Sequence, residues 1–147
     1  METKEEKILT IDYNMSFKYM IDAGHYDWTP GFLALHPFSI EIEGEGTEEV
    51  EYKTFHFNRN ISSEEAKCLI EEDGWEVAKT EHLLAFGAKN PDEQRRYSIV
   101  ALGSDGEVGG RRGVLIIGMC FSERFLDLAG GGDWRPFCRF LAVREVG

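Results

Sequence analysis

The sequence predicts an α+β fold in which an opening strand and short helices precede a series of antiparallel strands. Three observations predict this class. Alternating apolar residues favour strands near residues 8–13 and 50–57. Capping signals bracket apolar stripes of helical spacing between residues 62 and 87. From residue 97 onward the apolar pattern returns to period two and stays there, with interruptions, to the end of the chain.

Composition predicts one compact unit. The chain has 147 residues with 42% hydrophobic content, enough for a single core of ordinary size. We expect residues 1–57 to form a strand and helix element packed on a core that residues 58–147 build. The net charge of −11 argues against nucleic acid, whose binding needs Lys and Arg against phosphates.

The N-terminal stretch METKEEK has no apolar region typical of a signal peptide, and no run in the chain approaches membrane-spanning length. We therefore expect no membrane insertion, and a cytoplasmic or virion-associated protein. Cys68, Cys120 and Cys138 lack C-x-x-C spacing, which predicts reduced thiols rather than a zinc or redox motif.

In the first part of the chain, residues 8–13 alternate as a strand. Ser16 then opens a short helix that Gly24 is expected to end in the left-handed conformation. Residues 32–35 and 38–42 are strand-like pieces broken by Pro37. The strand predicted at 50–57 carries aromatic residues on both faces, which indicates that each face is covered.

The centre of the chain gives the clearest helical signal. Ser62 and Glu65 form an S-x-x-E capping box, and Gly74 closes the helix that they open. Thr80 is expected to cap a further helix that ends at Gly87. Strands follow at 97–103, 111–119, 124–128 and 137–146, with a hairpin connection at 104–110 and a tight turn at 121–123, so that the chain ends in a terminal antiparallel β-meander.

The tail differs from the rest of the chain in charge and in composition. From Arg111 onward it has six Arg against four acidic residues, whereas residues 1–57 have four Lys, no Arg and twelve acidic residues. Pro136 is unusual at the entry to a core strand, because proline removes a ladder donor. Arg135 and Phe137 flank it, and Arg with aromatics is typical of protein interfaces. This pattern indicates a surface presented by a scaffold.

The central run SSEEAKCLIEEDGWEVAKTEHLLAF resembles the paired helices of the C-type lectin fold, and GGDWRPFCRFLAVR resembles its terminal Trp loop and last strand. More narrowly, FHFNRNISSEEA, EHLLAFGAKNP, YSIVALGS and CRFLAVRE, preceded by IDYNMSFKYMIDAGHYDW, resemble the variable proteins of diversity-generating retroelements in archaea, their viruses and small-genome bacteria. This resemblance covers nearly all of the chain. It implies a C-type lectin-like domain with two short helices at 58–147 and a variable region at about 107–138.

The resemblance implies a ligand-binding, receptor-like or adhesin-like protein rather than an enzyme, without a cofactor, whose partner is an unknown protein or surface ligand. In such a family, adenine-directed reverse transcription rewrites C-terminal codons. Randomising both adenines of an AAY codon gives NNY, which cannot encode Met, Trp, Glu, Gln or Lys, so Met119, Glu123 and Trp134 are expected to be fixed. The expected ligand-binding residues are Arg112, as a basic rim, and Leu115, Ile116, Gly118, Cys120, Phe121, Ser122, Ala129, Gly130, Arg135, Pro136, Phe137 and Cys138.

Other readings of the resemblance remain open at this point. Sugar-binding C-type lectins hold Ca²⁺ with E-P-N or Q-P-D and W-N-D motifs, which this chain replaces by NPD at 90–92 and GDW at 132–134, so we expect no metal site. The usual first disulfide of the fold would join the regions of Cys68 and Cys138. A diversified Cys138 cannot be a structural partner, and we expect a free thiol there.

Two alternative functions accompany the ligand-binding reading. The formylglycine-generating oxidases share this fold type and use a cysteine pair, which Cys120 and Cys138 could imitate, although no nearby His would activate a thiolate. The third reading is a structural subunit of a virion or cell surface, which is compatible with ligand binding.

Overall fold

The computed structural model describes residues 7–31, 33, 42, 44–108, 111–130 and 132–146. Over these residues the fold is α+β, as the sequence predicts. The strand-like pieces expected at 32–35 and 38–42 lie, apart from residues 33 and 42, outside the described residues. No helix in the described part of the chain is both long enough and apolar enough to cross a membrane.

Strands and three short helices share the first two thirds of the described chain, and strands alone make up the rest. The helices are α1 (Phe17–Ala23), α2 (Ser63–Glu72) and α3 (Thr80–Lys89), and a single 3₁₀ turn follows at Glu93–Arg95. The strands are β1 (Ile8–Asp12), β2 (Thr47–Phe55), β3 (Ile61–Ser62), β4 (Glu76–Val77), β5 (Ser98–Val108), β6 (Arg111–Cys120), β7 (Glu123–Ala129), β8 (Asp133–Trp134) and β9 (Cys138–Glu145).

The predicted helix starts at Ser16 and Ser62 are confirmed. The Ser16 hydroxyl accepts a hydrogen bond from the backbone N–H of Tyr19, and the Ser62 hydroxyl accepts one from Glu65 at 3.1 Å. Gly74, after α2, has a φ of +85°, the left-handed conformation that favours glycine. These signals are local in sequence, which is why they predict the helix ends correctly.

Two other glycines have a different role from the predicted one. Gly24 ends α1 with a φ of −80°, so the expected left-handed conformation is wrong. Gly87 does not end α3, which continues to Lys89, and Thr80 is the first residue of that helix rather than its cap. A Cβ would lie 2.4 Å from the Tyr26 ring at Gly24 and 2.1 Å from the Tyr26 hydroxyl at Gly87. Both glycines are needed for the close approach of Tyr26.

The main sheet has the strand order β1-β2-β9-β5-β6-β7, and β4 also pairs with β9. Only β5, β6 and β7 form the predicted antiparallel meander. The last strand lies between β2 and β5, antiparallel to the first and parallel to the second, with Phe140 opposite Phe55 and Val100. The expectation that β9 continues the meander is therefore wrong. Its run of four consecutive buried residues suits a central strand that is covered on both faces.

Residues 104–108, predicted to belong to a hairpin connection, form part of strand β5 instead. Strand β5 continues to Val108 after an irregularity between Ala101 and Gly106. Ser104 fills it, because its buried hydroxyl donates to the Ala101 carbonyl and accepts from the Leu115 N–H at 2.7 Å. The Ser104 side chain therefore supplies hydrogen-bond partners to one backbone group on each strand at the bulge.

Each face of the sheet has its own hydrophobic core. On the helical face, Leu115, Ile117 and Leu141 pack with residues of α1 and α3. On the ribbon face, Val100 and Phe140 pack with α2 and with the two-stranded β3–β8 ribbon. Strands β1 and β2 and helix α1 belong to this same sheet and core, so the N-terminal element is continuous with the rest of the fold.

Candidate ligand-binding surface

The β6–β7 hairpin ends in a two-residue loop of unusual sequence. Phe121 and Ser122 form the loop between the paired residues Cys120 and Glu123, with φ values of +49° and +67°. Loops of this kind favour Asn and Gly, because left-handed backbone is costly for other residues. Phe121 is 98% exposed, so its ring gains nothing from packing. A strained backbone that carries an exposed aromatic ring points to function.

A second exposed turn precedes β9. The backbone N–H of Cys138 donates to the Arg135 carbonyl at 3.1 Å, and the His56 Nε2–H donates to the Pro136 carbonyl at 2.8 Å. These bonds fix the turn from behind while Arg135, Pro136 and Phe137 face solvent, with Phe137 61% exposed. His56 therefore has the structural role that a lone His usually has.

The sheet brings these two turns to the same end. Strands β5 and β9 are parallel, with Ser98 opposite Cys138, and Ile99 lies opposite Ile117 of β6. The start of β9 and the hairpin are therefore two strand spacings apart, roughly 10 Å. We call the six residues Cys120, Phe121, Ser122, Arg135, Pro136 and Phe137 the end surface; all six are exposed.

Four further predicted site residues lie away from the end surface. Arg112, Ala129 and Gly130 are at the opposite end of the β6–β7 pair, about 26 Å away along β6. Arg112 lies 3.2 Å from Asp105, in an exposed ion pair. Ile116 lies between the two ends, half-buried against the core of the ribbon face. The structure therefore does not unite these residues with the end surface.

Three predicted site residues are buried, so the structure does not expose them for contact with a ligand as the sequence predicts. Leu115 is fully buried in the core of the helical face, and Cys138 is 5% exposed on the ribbon face. Gly118 is buried beneath the ring of Phe125, whose Cζ would lie 2.7 Å from a Cβ at this position. Codon chemistry says what a position can encode, and not which way its side chain points.

All three cysteines are free. Cys68 and Cys120 are exposed and Cys138 is buried, which confirms the expected free thiol at Cys138. Burial raises the pKa of the Cys138 thiol. Strand β5 lies between the strands that carry Cys120 and Cys138, and the register places the two residues roughly 12 Å apart. This separation does not favour an oxidase site that uses the two cysteines as a pair. Within the described ranges, no three His, Cys, Asp or Glu residues are grouped as metal ligands.

Trp28 is the functional candidate that sequence reasoning missed. Its N–H donates to the Arg124 carbonyl, and its own carbonyl accepts from the Leu126 N–H, both at 3.1 Å. This bridge aligns Trp28 with Phe125 on the edge strand β7, although 97 residues separate the two in sequence. The Trp28 side chain is 47% exposed. No local pattern signals such a contact, because the pairing partner is distant along the chain.

Trp28 forms one wall of an open cleft beside the hairpin, with a volume of about 360 Å³. We call it the hairpin cleft. Two of its lining residues belong to the end surface, and the others come from β7 and from Trp28 itself. The lining residues are Trp28, Cys120, Phe121, Glu123, Phe125 and Asp127.

A buried arginine holds the base of the hairpin on the other face of β7. Arg124 is 5% exposed, and its guanidinium donates to the Gly24 carbonyl at 2.8 Å and to Gln94 Oε1 at 2.7 Å. The Gln94 amide donates in turn to the carbonyls of Gly118 and Phe125, one on each strand of the hairpin. The exposed loop thus stands on a base that charge-assisted hydrogen bonds fix.

The described chain is thus an α+β protein whose mixed sheet presents two exposed turns and a cleft at one end. Comparison with known proteins identifies no relative: no protein-family model, curated protein or solved structure matches the chain.

Proposed function

We propose that this chain is a ligand-binding protein of receptor or adhesin type, which presents a hypervariable surface on a C-type lectin-like scaffold. One observation carries the proposal. Among the described residues, three of the five exposed large apolar side chains, Trp28, Phe121 and Phe137, lie at the end of the sheet that carries the two turns. Exposed aromatic side chains that cluster on a rigid support are typical of binding surfaces.

The separation of surface from support favours diversification by a retroelement. His56 holds the backbone of the turn before β9, and Arg124 and Gln94 hold the base of the hairpin that carries the other turn; none of the three belongs to the predicted variable set. Replacing an exposed side chain therefore leaves these bonds intact. The six residues of the end surface form the variable set that we propose, without the buried Leu115, Gly118 and Cys138.

The scaffold assignment rests on the order of its parts. The two helices α2 and α3 precede strands β5 to β9, and the Trp134 loop leads directly into the last strand, as the resemblance implies. Trp134 is 6% exposed and its indole N–H donates to the Ser63 hydroxyl at the start of α2, which ties the loop to the first of these helices.

The DNA beside the gene gives the most direct test. On this proposal it contains a second copy of the C-terminal codons, differing only where the copy has adenine, next to a reverse-transcriptase gene. The differing positions are expected to include Cys120, Phe121 and Phe137 and to omit Leu115. Absence of both the repeat and the reverse transcriptase would overturn the diversification part of the proposal.

A matched pair of variants tests the display part. Asn lies within the NNY repertoire, so Phe121→Asn and Leu115→Asn are equally accessible to diversification. Phe121→Asn is expected to keep or slightly raise stability, because Asn tolerates left-handed backbone. Leu115→Asn is expected to lose about 3 kcal/mol or more, because it places an unpaired amide in the core. Urea unfolding measures both, and a large loss for Phe121→Asn would contradict the display of this loop.

A further inference from the structure

The floor of the hairpin cleft is formed by an acidic, an aromatic and a second acidic side chain of strand β7. Glu123, Phe125 and Asp127 are alternate residues of β7, so their side chains share the ribbon face. The Phe125 ring leans over Gly118, where a side chain would collide with it. The bridge to β7 places Trp28 beside Phe125 on the outer side. The cleft therefore has an aromatic floor and wall with a carboxylate at each end.

Both carboxylates are free to bind a cation. Over residues 7–31, 33, 42, 44–108, 111–130 and 132–146, neither Glu123 nor Asp127 has a basic side chain within ion-pair distance. Asp127 Oδ1 accepts the backbone N–H of Leu128 at 2.7 Å, which orients the carboxylate and leaves Oδ2 available. Arg124, which follows Glu123 in sequence, is buried and donates to Gly24 and Gln94 on the helical face.

We propose that the hairpin cleft binds a primary alkylammonium group, in the form of a lysine side chain on the surface of the protein's ligand. This inference rests on the proposed function and names the chemistry of its ligand. The methylenes of the lysine lie against Trp28 and Phe125, whose ring faces also attract the ammonium. The ammonium donates to the carboxylate of Glu123 or Asp127.

Charge and shape favour this occupant over others. An anionic ligand would meet two unpaired carboxylates on a chain of net charge −11. A quaternary ammonium has no N–H to donate to those carboxylates, and it is held best by a closed aromatic cage, whereas this cleft is open on one side. A primary ammonium uses both the acceptors and the aromatic wall.

The test uses Nα-acetyl-lysine N-methylamide as the probe and its norleucine counterpart, which lacks the ammonium, as the control ligand. Two-dimensional NMR of the indole N–H groups is the readout, because Trp28 is exposed whereas Trp75 and Trp134 are 8% and 6% exposed. A Trp28→Phe variant identifies the Trp28 signal. We expect the chemical shift of that signal to change and to saturate at millimolar concentrations of the lysine derivative. The norleucine derivative at the same concentrations is expected to change it at least tenfold less.

The protein variants separate the cleft from the general charge of the chain. Glu123→Gln combined with Asp127→Asn is expected to weaken the binding of the lysine derivative at least tenfold. Glu48→Gln with Glu49→Gln removes two exposed carboxylates from β2, outside the cleft lining, and is expected to leave binding unchanged. Equal weakening by both pairs would overturn the inference, as would equal binding of norleucine or tighter binding of choline.

The failure of this inference can be distinguished from the failure of the proposed function. A template repeat beside the gene together with no lysine-dependent shift would leave the displayed surface intact and refute the lysine site alone. A lysine-dependent shift with no repeat and no reverse transcriptase would keep the site and refute diversification.

Discussion

Replacing Trp134 with alanine tests the division between support and surface most sharply. Trp134 is 6% exposed, its ring centroid lies 6.1 Å from that of Phe140, and its indole N–H donates to the Ser63 hydroxyl at 2.8 Å. A buried Trp removes about 200 Å² from water, worth about 5 kcal/mol at about 25 cal/mol/Å². A compact unfolded state reduces this by about a quarter, so we expect a loss of about 3–5 kcal/mol.

The assay is thermal and urea unfolding followed by far-UV circular dichroism, because the substitution removes a fluorophore. For a chain of this length a loss of that size lowers Tm by about 10 °C. Trp134→Phe, which keeps most of the apolar contact but not the N–H donor, is expected to lose about 1 kcal/mol from the hydrogen bond, in addition to the smaller ring. A loss below about 1 kcal/mol for Trp134→Ala would refute the reasoning.

The matched control lies in the adjoining turn. Combining Arg135→Ala with Phe137→Ala removes two exposed side chains within three residues of Trp134, and the free energy of unfolding is expected to change by less than about 0.5 kcal/mol. Because the hydrogen bonds that fix this turn use backbone atoms of the turn, the double variant keeps them. A loss comparable to that of Trp134→Ala would show that the end surface belongs to the core.

Two further predictions concern buried polar groups. Burial, and to a smaller extent the positive charge of Lys79, lowers the pKa of His82 from 6.5 to about 4. As the pH falls, the imidazole is therefore protonated in the unfolded chain before it is protonated in the folded one. The free energy of unfolding is expected to fall by at most about 3 kcal/mol as the pH drops from about 6.5 to about 4. His82→Gln, which keeps an acceptor for the Lys79 N–H but does not titrate, is expected to flatten the pH profile of urea unfolding over that window; an unchanged profile would contradict the assignment. In urea unfolding, Arg124→Met is expected to lower the free energy of unfolding by about 3 kcal/mol, because it leaves Gln94 and several carbonyls without their donor. The control Arg112→Met, which breaks an exposed ion pair, is expected to lower it by less than about 0.5 kcal/mol. Equal losses would refute the role of the buried network.

Much of the fold could be predicted because its signals are local. The Ser62 cap and the left-handed Gly74 mark α2 within a dozen residues of sequence. The position of β9 could not be predicted, since a strand's pattern shows that it is buried but not which strands it pairs with. The role of Gly87 could not be predicted for a similar reason. A glycine that allows Tyr26 to approach, 61 residues away in sequence, looks the same in sequence as one that ends a helix.

The site was predicted in part. Interface-like composition around Pro136 indicated an exposed surface at Arg135 and Phe137, and codon chemistry allowed Phe121 to vary; the structure exposes all three side chains. Strand alternation alone would have placed Leu115 beside Ile117 in the core, but codon chemistry does not use that information. Trp28 gave no signal, because its role depends on a bridge to β7 that forms only in the folded chain.

The hairpin cleft combines residues of two kinds, and this has a consequence for specificity. On the proposed function, Phe121 and Cys120 belong to the variable set, whereas an NNY codon cannot encode Glu123 and Trp28 lies far outside the proposed variable region. On the proposals above, every variant keeps the acidic and aromatic anchor for a lysine, and the changing rim decides which neighbours of that lysine are accepted. A few central contacts supply most of the binding energy of an interface. If the fixed residues of the cleft supply those contacts, the variable residues around them can change without abolishing binding. Variants that differ at Phe121 should therefore share the requirement for Glu123 or Asp127 while preferring different ligands.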